Sequence, residues 1–104
     1  MVLERAEIAI KPGMMDEFLQ VFRVQALPLT QTYTGCISFK AMRCVEHPDR
    51  VMFLAEWDSI EAHQASRLEA DHTAFRNLVL PFTAGGGETV HFTPIEPLPG
   101  APRA

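Results

Sequence analysis

The sequence predicts an α+β domain of the ferredoxin-like kind, β-α-β-β-α-β around an antiparallel sheet, that associates with a second copy of itself. Three observations predict it. Segments with a two-residue hydrophobic period alternate with segments of helical spacing in that order. The chain of 104 residues is the length of one domain with a high surface-to-volume ratio. The stretch from 51 to 57 is apolar on both alternating sets, with Val51, Phe53, Ala55 and Trp57 on one face, Met52 and Leu54 on the other, and only Glu56 breaking the pattern. A strand with one wet face alternates, so both faces of this one need covering. Helices cover one face, and a second subunit is expected on the other.

Each element has its own local reason. Residues 2–11 set Val2, Ala6, Ile8 and Ile10 against Glu4, Arg5, Glu7 and Lys11, the pattern of a half-buried strand. Pro12 and Gly13 end it. Over 14–29, Phe18, Leu19, Phe22 and Ala26 recur at helical spacing, and Asp16 and Glu17 occupy the first turn, where the helix dipole favours acids. Pro28 does not fit a helix interior, so a kink or stop is expected near Ala26.

Gly35 opens a second strand over 36–45, with Ile37, Phe39, Ala41 and Val45 on one face and Cys36, Met42 and Cys44 on the other. His47, Pro48, Asp49 and Arg50 make the turn into the strand 51–57. Asp58 followed by Glu61 has the spacing of a capping box, which starts a helix over 59–70. Asp71 is a second N-cap, for a helix over 72–80. Ala84 and three glycines form a link to a last strand at 89–93. The domain proper is 1–94, and residues 95–104 form a proline-rich tail that hardly supports regular structure.

Composition excludes several classes of partner. The net charge is −4 and the nine Lys and Arg residues are scattered, which argues against nucleic acid. No run approaches the roughly 18 apolar residues of a membrane span, and the first residues carry Glu4, Arg5 and Glu7 rather than an apolar leader. A cytoplasmic protein without a membrane partner is expected. Cys36 and Cys44 lie in one predicted strand about 26 Å apart, too far for a disulfide. Neither belongs to a CxxC and no two histidines have i,i+4 spacing, so no metal site is expected.

Five short motifs stand in a particular order: DEFLQVFR at 16–23, GCISF at 35–39, HPDR at 47–50, EWDS at 56–59 and DHTAF at 71–75. With their spacing over residues 2–93 they resemble the antibiotic biosynthesis monooxygenase family of small α+β proteins. The resemblance implies a dimeric α/β barrel, a homodimer whose two sheets face each other, with a small-molecule pocket between each sheet and its helices. One fold here hosts several chemistries. Some members oxidise polyketide or quinol-type aromatics with O2 and no cofactor, others degrade haem, and one branch isomerises a small phosphorylated metabolite. The haem-degrading pattern of an Asn, a Trp and a His falls on Ala6, Ser66 and Arg76, which disfavours that chemistry. The oxygenase pattern of an Asn, the corner Trp and a Tyr falls on Phe53, Trp57 and His63, so the Trp is kept and the other two are replaced.

Cofactor-free oxygenation needs a base that turns a phenol into its anion, a far better electron donor to O2. An imidazole suits that proton transfer at neutral pH. His63 and His72 are the candidate catalytic bases, Phe53 and Trp57 the candidate pocket walls, and Arg43 and Arg67 the candidate anion partners. Each has a structural alternative. His72 shares a stripe with Ala65, Leu68, Phe75 and Val79, as a packed core histidine would. On one continuous helix His63 falls opposite that stripe, and a break near Asp71 removes the conflict. Trp57 also fits a core plug, Arg43 a pair with Glu56 across the hairpin, and His91 a subunit contact. The expected function is a cofactor-independent monooxygenase acting on a small aromatic, quinol-like substrate, with no metal or organic cofactor. An isomerase of a small polar metabolite and a non-catalytic ligand-binding dimer are the alternatives.

Overall fold

The structure is a computed structural model that describes residues 1–85 and 87–96. Strand β1 (Val2–Ala9) leads into α1 (Met15–Val21), which continues through a π-helical turn (Phe22–Ala26) into α2 (Leu27–Thr30). The hairpin β2 (Cys36–Arg43) and β3 (Arg50–Trp57) follows, then α3 (Ile60–Ser66), α4 (Ala70–Val79), a 3-10 turn (Leu80–Phe82) and β4 (Glu88–Phe92). The strands order β2-β3-β1-β4 with every neighbour antiparallel, the expected ferredoxin-like arrangement. No described helix is long and apolar enough to cross a membrane.

The core lies between one sheet face and the helices. Phe18, Phe22 and Ala26 of the first helix meet Phe53, Ala55 and Trp57 of β3 and Phe75 and Val79 of α4, all buried. Phe22 stacks on Phe53 with centroids 5.6 Å apart, and Phe75 stands edge-on to both. Offset stacks and edge contacts suit the ring quadrupoles, so these rings hold a defined arrangement rather than merely filling volume.

Four local features differ from expectation. The first helix does not stop near Ala26; the irregularity expected there takes the form of a π turn that ends at Ala26. The Leu27 N–H reaches the Phe22 carbonyl, five residues back, and the helix resumes with Pro28 in the first turn of α2, where its missing N–H leaves nothing unpaired. The wide turn makes room for a ring that would otherwise press on the carbonyl four residues earlier.

Strand β2 carries a bulge, the second difference. Cys36 pairs with Trp57 and Ser38 with Glu56, leaving Ile37 as the extra residue. Ile37 is therefore 56% exposed and Cys36 packs on the core, so the predicted faces hold at Phe39 and Ala41 and are exchanged at Ile37 and Cys36. The strand ends at Arg43, and Val45 lies beyond it, exposed. This register sets Arg43 opposite Val51, so it does not pair with Glu56. The Arg43 Nε–H donates to the Pro48 carbonyl at 2.7 Å, and Glu56 accepts from the Ser38 hydroxyl at 3.0 Å.

Third, Ser59 rather than Asp58 caps α3, its hydroxyl accepting from the Ala62 N–H at 3.0 Å. The Asp58 N–H instead donates to the Gly35 carbonyl at 2.9 Å. Gly35 has φ +78°, and a Cβ there would stand 2.8 Å from the Cβ of Ala62. Only glycine lets the start of β2 run this close under α3. Fourth, the helical break falls before Asp71. Helix α3 ends at Ser66 and Glu69 takes the N-cap position of α4, while Asp71 sits in the first turn and accepts a hydrogen bond from Thr32. Of the predicted tail, Ile95 is fully exposed and residues 97–104 lie outside the described residues.

Candidate functional site

The site starts from the parity of β1. Val2, Glu4, Ala6 and Ile8 share one face, so Glu4 is a carboxylate on an otherwise apolar row that points at the helices. The sheet register places His91 of β4 directly opposite Glu4, and Trp57 of β3 opposite the neighbouring Val2. The break after Ser66 frees α3 to lay His63 over Trp57, ring centroids 4.7 Å apart and 24° from parallel. Tyr33 also stacks on Trp57, at 6.0 Å. The Ser66 hydroxyl donates to the His63 carbonyl at 2.6 Å and holds the last turn of the helix.

A chain of polar contacts runs through this stack. The Trp57 Nε1–H donates to Glu4 Oε1 at 2.9 Å, and His63 Nε2 lies 3.2 Å from the same oxygen. His63 Nδ1 lies 2.6 Å from His91 Nε2. An ionised carboxylate only accepts, so with Glu4 charged His63 carries its proton on Nε2, its Nδ1 accepts, and His91 Nε2 donates. His63 and Trp57 are 2% and 1% exposed, so these bonds form away from bulk water.

Burial shifts the titrations in opposite senses. It raises the Glu4 carboxyl, an effect partly offset by the Trp57 hydrogen bond and by His91 and Arg67. It pushes His63 down to about 4, helped by Arg67, His91 and His72. His72 is lowered as well, by burial first and then by Arg76 and Arg67. Both His63 and His72 are therefore neutral, proton-accepting imidazoles at pH 7.

A cavity of about 370 Å³ opens between the inner sheet face and helices α3 and α4, lined by Glu4, Phe53, His63, Arg67, His72 and Arg76 among others. It brings together four of the six residues singled out from sequence: His63, His72, Phe53 and Arg67. Trp57 lies behind the cavity and holds Glu4 rather than facing a ligand. Arg43 is at the other end of β2, roughly 20 Å along the strand, in a separate cleft with Phe18, Phe22 and Phe39. The Nδ1 atom of His72 is buried with no hydrogen-bond partner among the described residues, and the Tyr33 hydroxyl shares that condition. No group of three His, Cys, Asp or Glu side chains among the described residues is arranged to hold a metal ion.

Glu4 is not among the residues singled out from sequence, and His91 is placed there at a subunit contact rather than in the site. The signal for Glu4 is present: it has the same parity as Val2, Ala6 and Ile8, and an acid on an apolar row needs a partner. His91 becomes visible only through the β1–β4 register.

The His63 shift carries a stability consequence. An unfolded histidine takes its proton near 6.5 and the buried ring only near 4, so between those values the unfolded state binds more protons. Stability is full above 6.5 and falls as the pH is lowered towards 4, by up to about 3 kcal/mol. Glu4 acts oppositely, because the native state takes its proton first as the pH falls. Urea unfolding in steps across this window, with His63→Phe beside wild type, measures the effect. The slope should flatten in the variant, and an equal slope in both would show that His63 does not set it.

The model of the family described as antibiotic biosynthesis monooxygenase matches residues 1–78. The uncharacterized protein YczJ of Bacillus subtilis (strain 168) is 30% identical over 93 residues, spanning 88% of this chain and 97% of its own. The crystal structure of a Bordetella bronchiseptica protein named for the same family superposes with a TM-score of 0.83 at 27% identity, covering 91% of this chain and 97% of that one. A conserved protein from Methanosarcina mazei Go1 shares the fold at a TM-score of 0.76 and 18% identity, covering 88% and 89% of the two chains. With three quarters of its sequence matched by the family model, the chain belongs to the antibiotic biosynthesis monooxygenase family.

Proposed function

We propose that the protein is a cofactor-independent monooxygenase that oxidises a small aromatic, quinol-like compound with O2, working as a homodimer in the cytoplasm. The observation that carries this reading is a coupled acceptor pair, Glu4 and His63, at the wall of an aromatic-lined cavity of small-molecule size. The phenolic O–H of the substrate passes its proton to Glu4, whose charge is spread over the Trp57 and His63 bonds. The resulting phenolate transfers one electron to O2, and the radical pair joins to form a carbon–peroxide bond. The peroxide takes the proton back from Glu4, the same carbon loses its remaining hydrogen with the O–O bond as water, and a carbonyl is left. An aromatic C–H carbon thus becomes a carbonyl, O2 takes four electrons, and one oxygen atom leaves as water.

His72, neutral and without a hydrogen-bond partner at Nδ1 among the described residues, is the second group able to hold a substrate hydroxyl. Arg67 and Arg76 stabilise the anion at the cavity wall. Phe53 packs the flat substrate, and His63 takes the place of the Tyr in the family's oxygenase pattern. For the dimer, Met52 and Leu54 on the outer face of β3 supply the apolar surface with Met42 opposite Met52, and Leu3 and Phe92 form a second apolar pair on the same face.

Oxygen uptake by the purified, metal-free protein with a panel of hydroquinones and anthrone-like phenols tests the reading. Uptake above the uncatalysed rate that falls in His72→Ala is the expected result. Background uptake across the panel would exclude these substrates. The two arginines at the cavity favour one second reading, isomerisation of a small anionic metabolite, in which the same Glu4–His63 pair moves a proton without consuming O2.

A further inference from the structure

We propose that His91 is the outer end of a proton line that joins Glu4, in the cavity, to solvent in a different cleft. The inference rests on the reading of Glu4 and His63 as the base. Glu4 and His63 line the cavity and His91 does not. His91 instead lines an open surface cleft with Met1, Asp58, Ser59 and Phe92, a cleft that neither Glu4 nor His63 reaches. The two links between the clefts are the 3.2 Å and 2.6 Å contacts already described. His63 is thus the only side chain common to both contacts, and it is 2% exposed.

The geometry permits a balanced transfer without any ring turning over. In the loaded state Glu4 Oε1–H donates to His63 Nε2, His63 Nδ1–H donates to His91 Nε2, and His91 carries its proton on Nδ1. The Glu4 proton moves to His63 Nε2, the His63 Nδ1 proton moves to His91 Nε2, and the His91 Nδ1 proton leaves to water. Glu4 ends as a carboxylate, and both rings end protonated on Nε2, the arrangement required with Glu4 ionised. The reverse sequence reloads it. Any proton that Glu4 holds when a substrate arrives has to leave before Glu4 can act as a base. A substrate that fills the cavity blocks discharge on that side, and the His91 side stays open. The titratable and charged groups around His91 are Glu4 opposite it on β1, His63 on α3 and Asp58 at the mouth of the cleft, with Arg67 acting on Glu4 and His63.

The test uses the whole protein and His91→Gln, whose amide N–H can still donate to His63 Nδ1 but cannot pass a proton on. The first arm measures exchange of the His63 ring proton with water by NMR of isotope-labelled histidines, which needs no substrate. Exchange should slow by about tenfold or more in the variant. The second arm measures oxygen uptake with a quinol. A fall of about tenfold in kcat with KM unchanged, restored by added imidazole buffer, is expected of a lost proton carrier. Unchanged exchange overturns the line, as does a loss of kcat that imidazole leaves unrestored, since His91 is then only structural. Should no quinol be oxidised, slowed exchange would still support the line while the oxygenase reading fails.

Discussion

Glu4→Gln is expected to lower oxygen uptake by about 100-fold or more, the usual share of a positioned general base. The amide keeps the shape of the carboxyl, and its oxygen still accepts from the Trp57 indole and from His63 Nε2–H, so the contacts at 2.9 and 3.2 Å remain available. What is lost is the capacity to hold a proton. Burial raises the pKa of Glu4, so removing a charge from this position should leave stability equal or higher, which separates catalysis from folding. Unfolding curves beside the kinetics check this. Activity within tenfold of wild type in a folded Glu4→Gln protein would move the base elsewhere, with His72 next in line.

The second large effect is structural. Trp57→Ala should destabilise the fold by about 3–5 kcal/mol, because the indole is 1% exposed and stacked on both His63 and Tyr33. For a domain of this size that lowers Tm by at least about 10 °C. Trp57→Phe separates packing from hydrogen bonding. It keeps most of the stack but removes the Nε1–H that favours the ionised Glu4, so the acid limb of the activity profile should move to higher pH. Calorimetry on both variants and a pH profile on the second measure these effects. A profile unmoved in Trp57→Phe would mean that the indole only packs.

Much of this was legible in the residues. The strand and helix order followed from hydrophobic periods, and one of the two apolar sets of β3, Val51, Phe53, Ala55 and Trp57, is buried beneath the helices, as the covering of one face required. Of the site, Phe53 and His63 could be named from the family's oxygenase pattern and His72 and Arg67 from their side-chain chemistry, and they meet in one cavity. Details set by single hydrogen bonds were not legible. Local pattern cannot distinguish Ser59 from Asp58 as a cap, nor anticipate that a bulge turns Ile37 outward and Cys36 inward. Arg43 was grouped with the site because it is basic and near apolar residues. Only the register reveals that it sits at the opposite end of the strand. His91 was hidden for the same reason, since its role depends on a partner eighty-odd residues earlier in the chain.

The wide turn at 22–26 also has a consequence for phase. A π turn absorbs one residue more than an α turn, and one residue corresponds to about 100° of rotation about a helix axis. Phe18 before it, Phe22 and Ala26 within it and Thr30 after it are all buried; they stand four residues apart, a spacing that drifts by about 40° per step in an α-helix and that the wide turn partly takes up before the segment delivers Tyr33 to Trp57. The helix works as two short rulers joined by an offset. Tyr33, which this helix delivers, lies 12° from parallel on the indole that grips Glu4, so the phase of the helix reaches the cavity wall through a single stack.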